Sequence, residues 1–163
     1  MSERIGLFAG SFDPLTLGHV DIVRKALTIF DRVIVLVADD PFKRYTLTGE
    51  DRLAICRADL ADLGDVSVMR GHGLTAQMAR ELGACALIRG LRTAADFNDE
   101  YRMALVNENI VPGLETVFLL TDPVNCYISS AMVKSLLISG GNIDQMVPPH
   151  CLEIIKAKLS KKD

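Results

Sequence analysis

Five short runs of this sequence, "RIGLFA" (residues 4–9), "RVIVLVA" (32–38), "DVSVMR" (65–70), "CALIR" (85–89) and "ETVFLL" (115–120), are apolar almost throughout rather than at alternate positions. A strand with apolar side chains on both sides has no face to offer water, so a sheet built from such strands must be covered on both faces. Segments of helical period separate the runs, at 18–30, 48–63, 74–83 and 96–111, with others after Ser129 and Pro149. Strand and helix in alternation predict parallel strands joined by right-handed crossovers. The expected fold class is therefore α/β: a doubly wound, mainly parallel five-stranded sheet with helices on both faces. Thr48 before Glu50 and Asp51, Gly64 and Gly83 past helix ends, and Pro149 in a first turn all mark helix boundaries. With 163 residues, 49% of them hydrophobic, the chain reads as one domain over residues 1–163, and only "KLSKKD" at its end reads as a frayed tail.

Several function classes are disfavoured at this stage. A net charge of -3 argues against a general nucleic-acid binder, because phosphate-backbone binding leaves a basic footprint. Cys56, Cys85, Cys126 and Cys151 are far apart and form no CxxC pair, so neither a zinc ribbon nor a thioredoxin-like centre is expected. No apolar run approaches the roughly 18 residues of a membrane span, and a cytoplasmic protein in a reduced setting is expected. No GxxxxGK run supports Walker-type hydrolysis of ATP. "GHGLTA" (71–76) formally fits GxGxxA, but that fingerprint normally follows the first strand, and here the next strand ends in Arg89 rather than in an acid that would hold a ribose.

Ligands of doubly wound sheets bind outside the carboxyl ends of the strands. The loops there are "GSFDPLTLGH" after the first strand, "DDPFKRYTLT" after the second, "GLRTAADFNDE" after the fourth and "TDPVNCYISSAMVK" after the fifth. In the first, Gly10 and Gly18 let a ligand approach the backbone, and His19 falls in a first helical turn, whose free N–H groups favour phosphate. Thr16 and His19, three apart, share one face and could grip one anion. Equally, Thr16 could cap the helix and His19 be incidental. Lys43 and Arg44 could be a solvated turn, and Ser129 and Ser130 could be helix caps alone. Arg89, which closes an apolar run, needs a partner at the sheet edge. His72 and His150 read as surface or turn residues, and Met103 and Met132, at helical spacing, as core.

Together, "GSFDPLTLGH", "LIRGLRTAADF" and "YISSAMVK" resemble the bacterial phosphopantetheine adenylyltransferase family of the nucleotidylyltransferase superfamily, whose mark is a His/Thr-x-Gly-His motif. The resemblance runs nearly end to end. It implies a Rossmann-like nucleotidylyltransferase fold and transfer of adenylyl from ATP to 4′-phosphopantetheine, giving dephospho-coenzyme A and pyrophosphate. It implies catalytic roles for His19, Lys43 and Arg92. Ser11, Lys43, Leu74, Thr75 and Arg89 would bind the acceptor. Ser11, Phe12, His19, Gly90, Leu91, Arg92, Glu100 and the run Asn125, Cys126, Tyr127, Ile128, Ser129, Ser130, Ala131 would bind ATP. Magnesium would arrive on ATP phosphates, with no protein metal cage. The resemblance also suggests a homohexamer, a state that no residue pattern in the sequence derives.

Four positions depart from that family's pattern: Asp99 where tyrosine is common, Arg102 where glutamine is common, Ala131 where a hydroxyl is frequent and Ser135 where an acid is frequent. None removes a cationic phosphate ligand. An adenylyltransferase with another acceptor, such as nicotinate mononucleotide, is the nearer alternative. A nicotinamide-dinucleotide oxidoreductase or binding module is the remoter one.

Overall fold

In a computed structural model of the chain, residues 3–159 are described. The elements are β1 (Ile5–Gly10), α1 (Leu17–Ala26), β2 (Arg32–Ala38), α2 (Gly49–Leu60), β3 (Val66–Gly71), α3 (Thr75–Glu81), β4 (Ala86–Leu91), α4 (Ala94–Ile110), β5 (Glu115–Leu120), a 3-10 turn (Pro123–Asn125), α5 (Ser130–Ile138) and α6 (Pro149–Leu159). The strands lie in the order β3-β2-β1-β4-β5, every neighbouring pair parallel. The chain winds outward from β1 to β3, then returns to β4 beside β1. That return makes the switch point at which doubly wound sheets bind ligands.

The two-sided apolar strands are explained by two cores. Phe8, Val33, Val35, Val37 and Ile88 pack with α1, α2, α5 and α6 on one side. Leu7, Ala9, Ile34, Leu36 and Leu87 pack with α3 and the end of α4 on the other. Alternate residues of each central strand feed opposite cores.

Three helices start with the same device, in which a threonine side chain receives the N–H three residues on and its own N–H is received in return. Asp51 answers Thr48 and Asp96 answers Thr93, whereas the answering residue for Thr16 is His19. The α6 start is held from another helix: Asp59 of α2 accepts the backbone N–H groups of His150 and Cys151, at 3.0 and 2.9 Å. His150 and His72 are exposed, as the sequence suggested.

Some boundaries and placements differ from expectation. The fourth strand does not stop at Arg89: Gly90 and Leu91 continue it, pairing with Leu119 and Leu120 of β5. A Cβ at Gly90 would come within 2.8 Å of Ile22, so glycine lets α1 pack closely on the sheet there. The first helix ends at Ala26 rather than 30, where the Thr28 hydroxyl donates to the Lys25 carbonyl at 2.7 Å and competes with the helical ladder. Met103 and Met132 are half-exposed, not core. Met103 borders a cavity of about 80 Å³ between α4 and the sheet, with Ala104 and Asn107, and on α5 it is Val133 that turns inward instead of Met132. Lys158 is not frayed, since it pairs with Asp51 at 2.7 Å; the rest of the proposed tail, from residue 160, lies outside the described residues.

Candidate active site

At the switch point the carboxyl ends of β1 and β4 diverge around a cleft of about 300 Å³. Ser11, Phe12 and His19 line it from the first loop and α1, Arg89, Gly90, Arg92 and Glu100 from β4 and α4, and Ile128, Ser129 and Ser130 from the start of α5. Most of the sequence-predicted residues thus share one wall or another of a single cavity.

His19 is fixed by backbone as much as by side chain. The Thr16 N–H donates to its Nδ1 at 3.0 Å, and the Thr16 hydroxyl lies 3.0 Å from the same nitrogen. Because a backbone N–H can only donate, Nδ1 is the acceptor, and the neutral ring carries its proton on Nε2. Burial first, then Arg92 and Arg89, push the imidazole from its ordinary value near 6.5 down to about 4. The ring at neutral pH is therefore an uncharged hydrogen-bond donor. Phe12 supports it edge-on, with centroids 5.2 Å apart. Phe12 itself is a buried residue held in the left-handed region, φ 48°, a placement that a bulky side chain adopts only when its surroundings over-determine it.

The cationic side chains are held, not free. Arg89 makes a two-pronged pair with Glu100, at 2.5 and 2.7 Å, and donates to the Ala9 carbonyl at 2.9 Å. This supplies the partner that an arginine at the sheet edge requires. Arg92 is folded back on Asp96 through its N–H and guanidinium, at 3.0 and 3.1 Å.

Lys43 lies outside the main cleft, in an adjoining cavity of about 260 Å³ that shares Ser11 and Ser130 with it and also contains Asp13, Arg44, Tyr45 and Lys134. It is 60% exposed, with a long 3.8 Å pair to Asp40, so it stands on a solvated turn that borders this cavity. Thr75 lines the small cavity under α4 together with Arg89 and Glu100. Leu74 is half-exposed at the α3 start and lines none of these cavities. Leu91 is buried in β4. Asn125 and Cys126 follow in and after the 3-10 turn, and Tyr127 is exposed. None of these four lines the cleft, nor does Ala131, which is exposed on α5. Ser129 caps α5 by accepting the Met132 N–H at 3.1 Å, and the Ser130 hydroxyl donates to the Pro14 carbonyl at 2.8 Å. The "GHGLTA" stretch lies at the end of β3, an edge strand away from the β1/β4 switch.

Of the four departures, Asp99 and Arg102 pair with each other, at 3.6 Å, and are 86% and 78% exposed. The joint substitution Asp99→Tyr and Arg102→Gln is expected to leave ATP affinity within about twofold, since exposed pairs of this kind contribute about 0 to 1 kcal/mol. A tenfold change by calorimetry would place them at the nucleotide.

Four charged residues that the sequence did not single out are tied to the first loop beside the cleft: Asp13 and Lys134, which line the adjoining cavity, and Arg52 with its partner Asp39. One signal was available. Arg52 falls in register with Ile55, Cys56 and Leu60, the buried stripe of α2, and a charge on such a stripe demands buried partners. It is 1% exposed and donates to the Ser11 carbonyl at 2.7 Å, to the Ala38 carbonyl at 3.1 Å and to the Asp39 carboxylate.

A family model described as cytidylyltransferase-like matches residues 7–136. A phosphopantetheine adenylyltransferase of Chloroflexus aggregans is 42% identical over 159 residues, covering 98% of this chain and 99% of the relative. One of Latilactobacillus sakei is 44% identical over 160 residues, covering 98% and 97%. The crystal structure of a putative nicotinate-nucleotide adenylyltransferase from Vibrio parahaemolyticus superposes with a TM-score of 0.70 over 96% of this chain and 93% of its own. At 18% identity that likeness shows the fold, the one read here as doubly wound. The near full-length relatives go further, and with them the chain belongs to the phosphopantetheine adenylyltransferase family.

Proposed function

We propose that this chain transfers the adenylyl group of ATP to 4′-phosphopantetheine, forming dephospho-coenzyme A and pyrophosphate, as the names of its relatives imply. The observation that carries the reading is the chemistry of the cleft. Its lining holds a neutral histidine, two arginines, hydroxyls and a single carboxylate, Glu100, already neutralised by Arg89. No lining thiol or unpaired acid offers a nucleophile or base. Adenylyl transfer to a phosphate needs neither: an ionised phosphate oxygen attacks the α-phosphorus, the bond to the bridging oxygen breaks, and the electron pair leaves with pyrophosphate. The protein's work is to bring two anions together and to stabilise charge on the five-coordinate phosphorus.

In this reading the His19 Nε2–H donates to the α-phosphoryl group, and Arg92, Ser129 and Ser130 hold the ATP phosphates over the start of α5. Ser11 donates to a phosphate shared between the substrates. Lys43 and Arg89 hold the acceptor phosphate, Lys43 as a point charge and Arg89 as a fork that also keeps Glu100 in place. Leu74 and Thr75 border the pantetheine arm. Gly90, Leu91 and the stretch from Asn125 to Ala131 form the nucleotide side, acting through backbone where their side chains turn away. The lining's hydroxyls and arginines suit the phosphates themselves, and its carboxylate is taken up by Arg89, so magnesium would be carried in on ATP phosphates rather than held by protein carboxylates. When bound there, the ion would supply positive charge against the pyrophosphate leaving group.

A homo-oligomer belongs to the same proposal, with the hexamer as the expected size. Its support is α4, which buries no residue, turns Tyr101, Leu105 and Val106 outward and leaves Phe97 partly exposed even where it packs on Phe118 of β5. No helix among the described residues is long and apolar enough to cross a membrane. A cytoplasmic location follows from the reaction proposed, whose donor is ATP.

Incubation with ATP and magnesium, offering phosphopantetheine or nicotinate mononucleotide separately, tests the reading through pyrophosphate release. Release with phosphopantetheine is expected, and release only with the mononucleotide would overturn the acceptor. Lys43→Ala should raise the acceptor KM by about tenfold, the loss of one charge-assisted contact of 1.5 kcal/mol or so, and leave ATP affinity nearly unchanged. An unaltered acceptor KM and turnover would remove Lys43 from the site.

A further inference from the structure

Residues 39–47 leave β2 and return to α2 as an arch with Lys43 near its crown and a 96% exposed Phe42 beside it. The crown has no core of its own. Both feet of the arch are tied to the first loop, and each tie runs through a buried charge. At the foot nearer α2, the Asp13 carboxylate, 3% exposed, accepts the backbone N–H groups of Thr46 and Leu47 at 2.9 and 2.8 Å. The ammonium of Lys134 stands 3.2 Å from the same carboxylate. At the foot nearer β2, Arg52 joins the Ser11 carbonyl to Ala38 and Asp39 and lies 4.0 Å over the Tyr45 ring, whose hydroxyl accepts the Asp40 N–H at 2.6 Å.

A buried carboxylate is an expensive way to fill space, and an apolar side chain would do that better. What a carboxylate provides is two strong acceptors at fixed spacing for two consecutive N–H groups. Those N–H groups begin three residues after Lys43, and Asp13 begins two residues after Ser11. The separation of Lys43 from the first loop is therefore set by Asp13, although Asp13 faces the arch and not the main cleft, whose lining excludes it.

We infer that Asp13 is a positioning residue for the proposed reaction: by holding the Thr46 and Leu47 N–H groups it fixes the arch so that Lys43 meets the acceptor phosphate. The inference rests on the acceptor role given to Lys43 above. A positioning effect of this kind is read in binding of one substrate, because a 1 Å misplacement weakens a charged contact without touching the other ligand's subsite.

The test is a double-mutant cycle on the intact enzyme with Asp13→Asn and Lys43→Ala. The amide keeps the shape of the carboxylate but can accept only one of the two N–H groups. In the parent background the acceptor KM is expected to rise about tenfold, well inside the hundredfold that misplacement can reach, with calorimetric ATP affinity within about twofold. In the Lys43→Ala background the same change should add less than about twofold, because the lysine it positions is gone. Trypsin should also cut after Lys43 or Arg44 faster in folded Asp13→Asn than in the parent. Equal KM effects in both backgrounds, or ATP affinity falling in step with acceptor affinity, would overturn the inference and leave Asp13 a structural acid. Should Asp13→Asn not fold, Asp13→Glu, which keeps the charge and both acceptor oxygens but moves them by one methylene relative to the Thr46 and Leu47 N–H groups, enters the same cycle with the same expected pattern and the same overturning results. Failure of the parent to use phosphopantetheine would sink the acceptor reading instead, and the trypsin comparison would still report on the arch.

Discussion

His19→Ala is expected to bind ATP within about tenfold of the parent while its turnover falls at least a hundredfold, the low end of what loss of one preorganised donor removes. The split follows from when the contact matters: charge gathers on the α-phosphoryl oxygens as the fifth bond forms, so a donor aimed there is worth most in the transition state. Tautomer and pKa sharpen the expectation. With Nδ1 accepting the Thr16 N–H and the ring's pKa lowered to about 4, the donor is a neutral Nε2–H. No ionisation of this histidine should then appear in kcat/KM between pH 5.5 and 8, whereas an ordinary one would show near 6.5. The stability linkage has a definite sign. A depressed pKa means the unfolded chain binds the proton more tightly, so the contribution of the neutral ring is fully present above 6.5 and is lost as pH falls towards 4. His19→Ala should accordingly lose less stability than the parent over that acid range. Turnover within about fivefold of the parent, in a folded protein, would leave His19 a capping residue only.

Arg52→Met is expected to lower the unfolding free energy by about 3 kcal/mol, the lower part of the range for removing one partner of a buried ion pair. Methionine matches the length of the aliphatic stem but strands three acceptors: the Ser11 and Ala38 carbonyls and the Asp39 carboxylate. The estimate sits low because Asp39 is itself partly exposed and keeps Arg70 at 2.8 Å. For a chain of this size the midpoint should drop by about 6 to 12 °C. Urea unfolding measures the change directly, and a loss under 1 kcal/mol would mean that water or a shifted Arg70 satisfies the stranded groups.

What the sequence disclosed and what it withheld divide along one line. Periodicity is local, so the five strands, the order of helices and the two-sided burial of β1, β2 and β4 were readable from runs such as "RVIVLVA", whereas "DVSVMR" and "ETVFLL" became the sheet's edge strands and are only half-buried. The loops converging at the β1/β4 switch followed from those strands by a general rule of doubly wound sheets. The ends of elements were less readable, because a cross-strand partner decides them: Gly90 and Leu91 are strand residues only because Leu119 and Leu120 stand opposite. Long-range polar partners were invisible. Asp13 and the N–H groups it holds are 33 and 34 residues apart, and Lys134 is 121 residues from Asp13. Nothing in the local pattern around "SFDPL" announces either partner. The exposure of α4 and of Met103 belongs to the same class, since helical spacing states that one face is apolar but not whether this chain covers it.

The opening of α1 carries a consequence for how activity responds to heat. Thr16 and His19 initiate that helix through the same hydrogen bond that holds the proton on Nε2. When the first turn frays, the imidazole is released to rotate and to exchange tautomers, so each such opening removes a competent donor although the rest of the fold persists. First turns open with far smaller free energies than whole domains. The fraction of molecules able to react is thus set by a local equilibrium, and activity should decline on warming ahead of the global melting transition, in step with hydrogen exchange at the amides of residues 16–20.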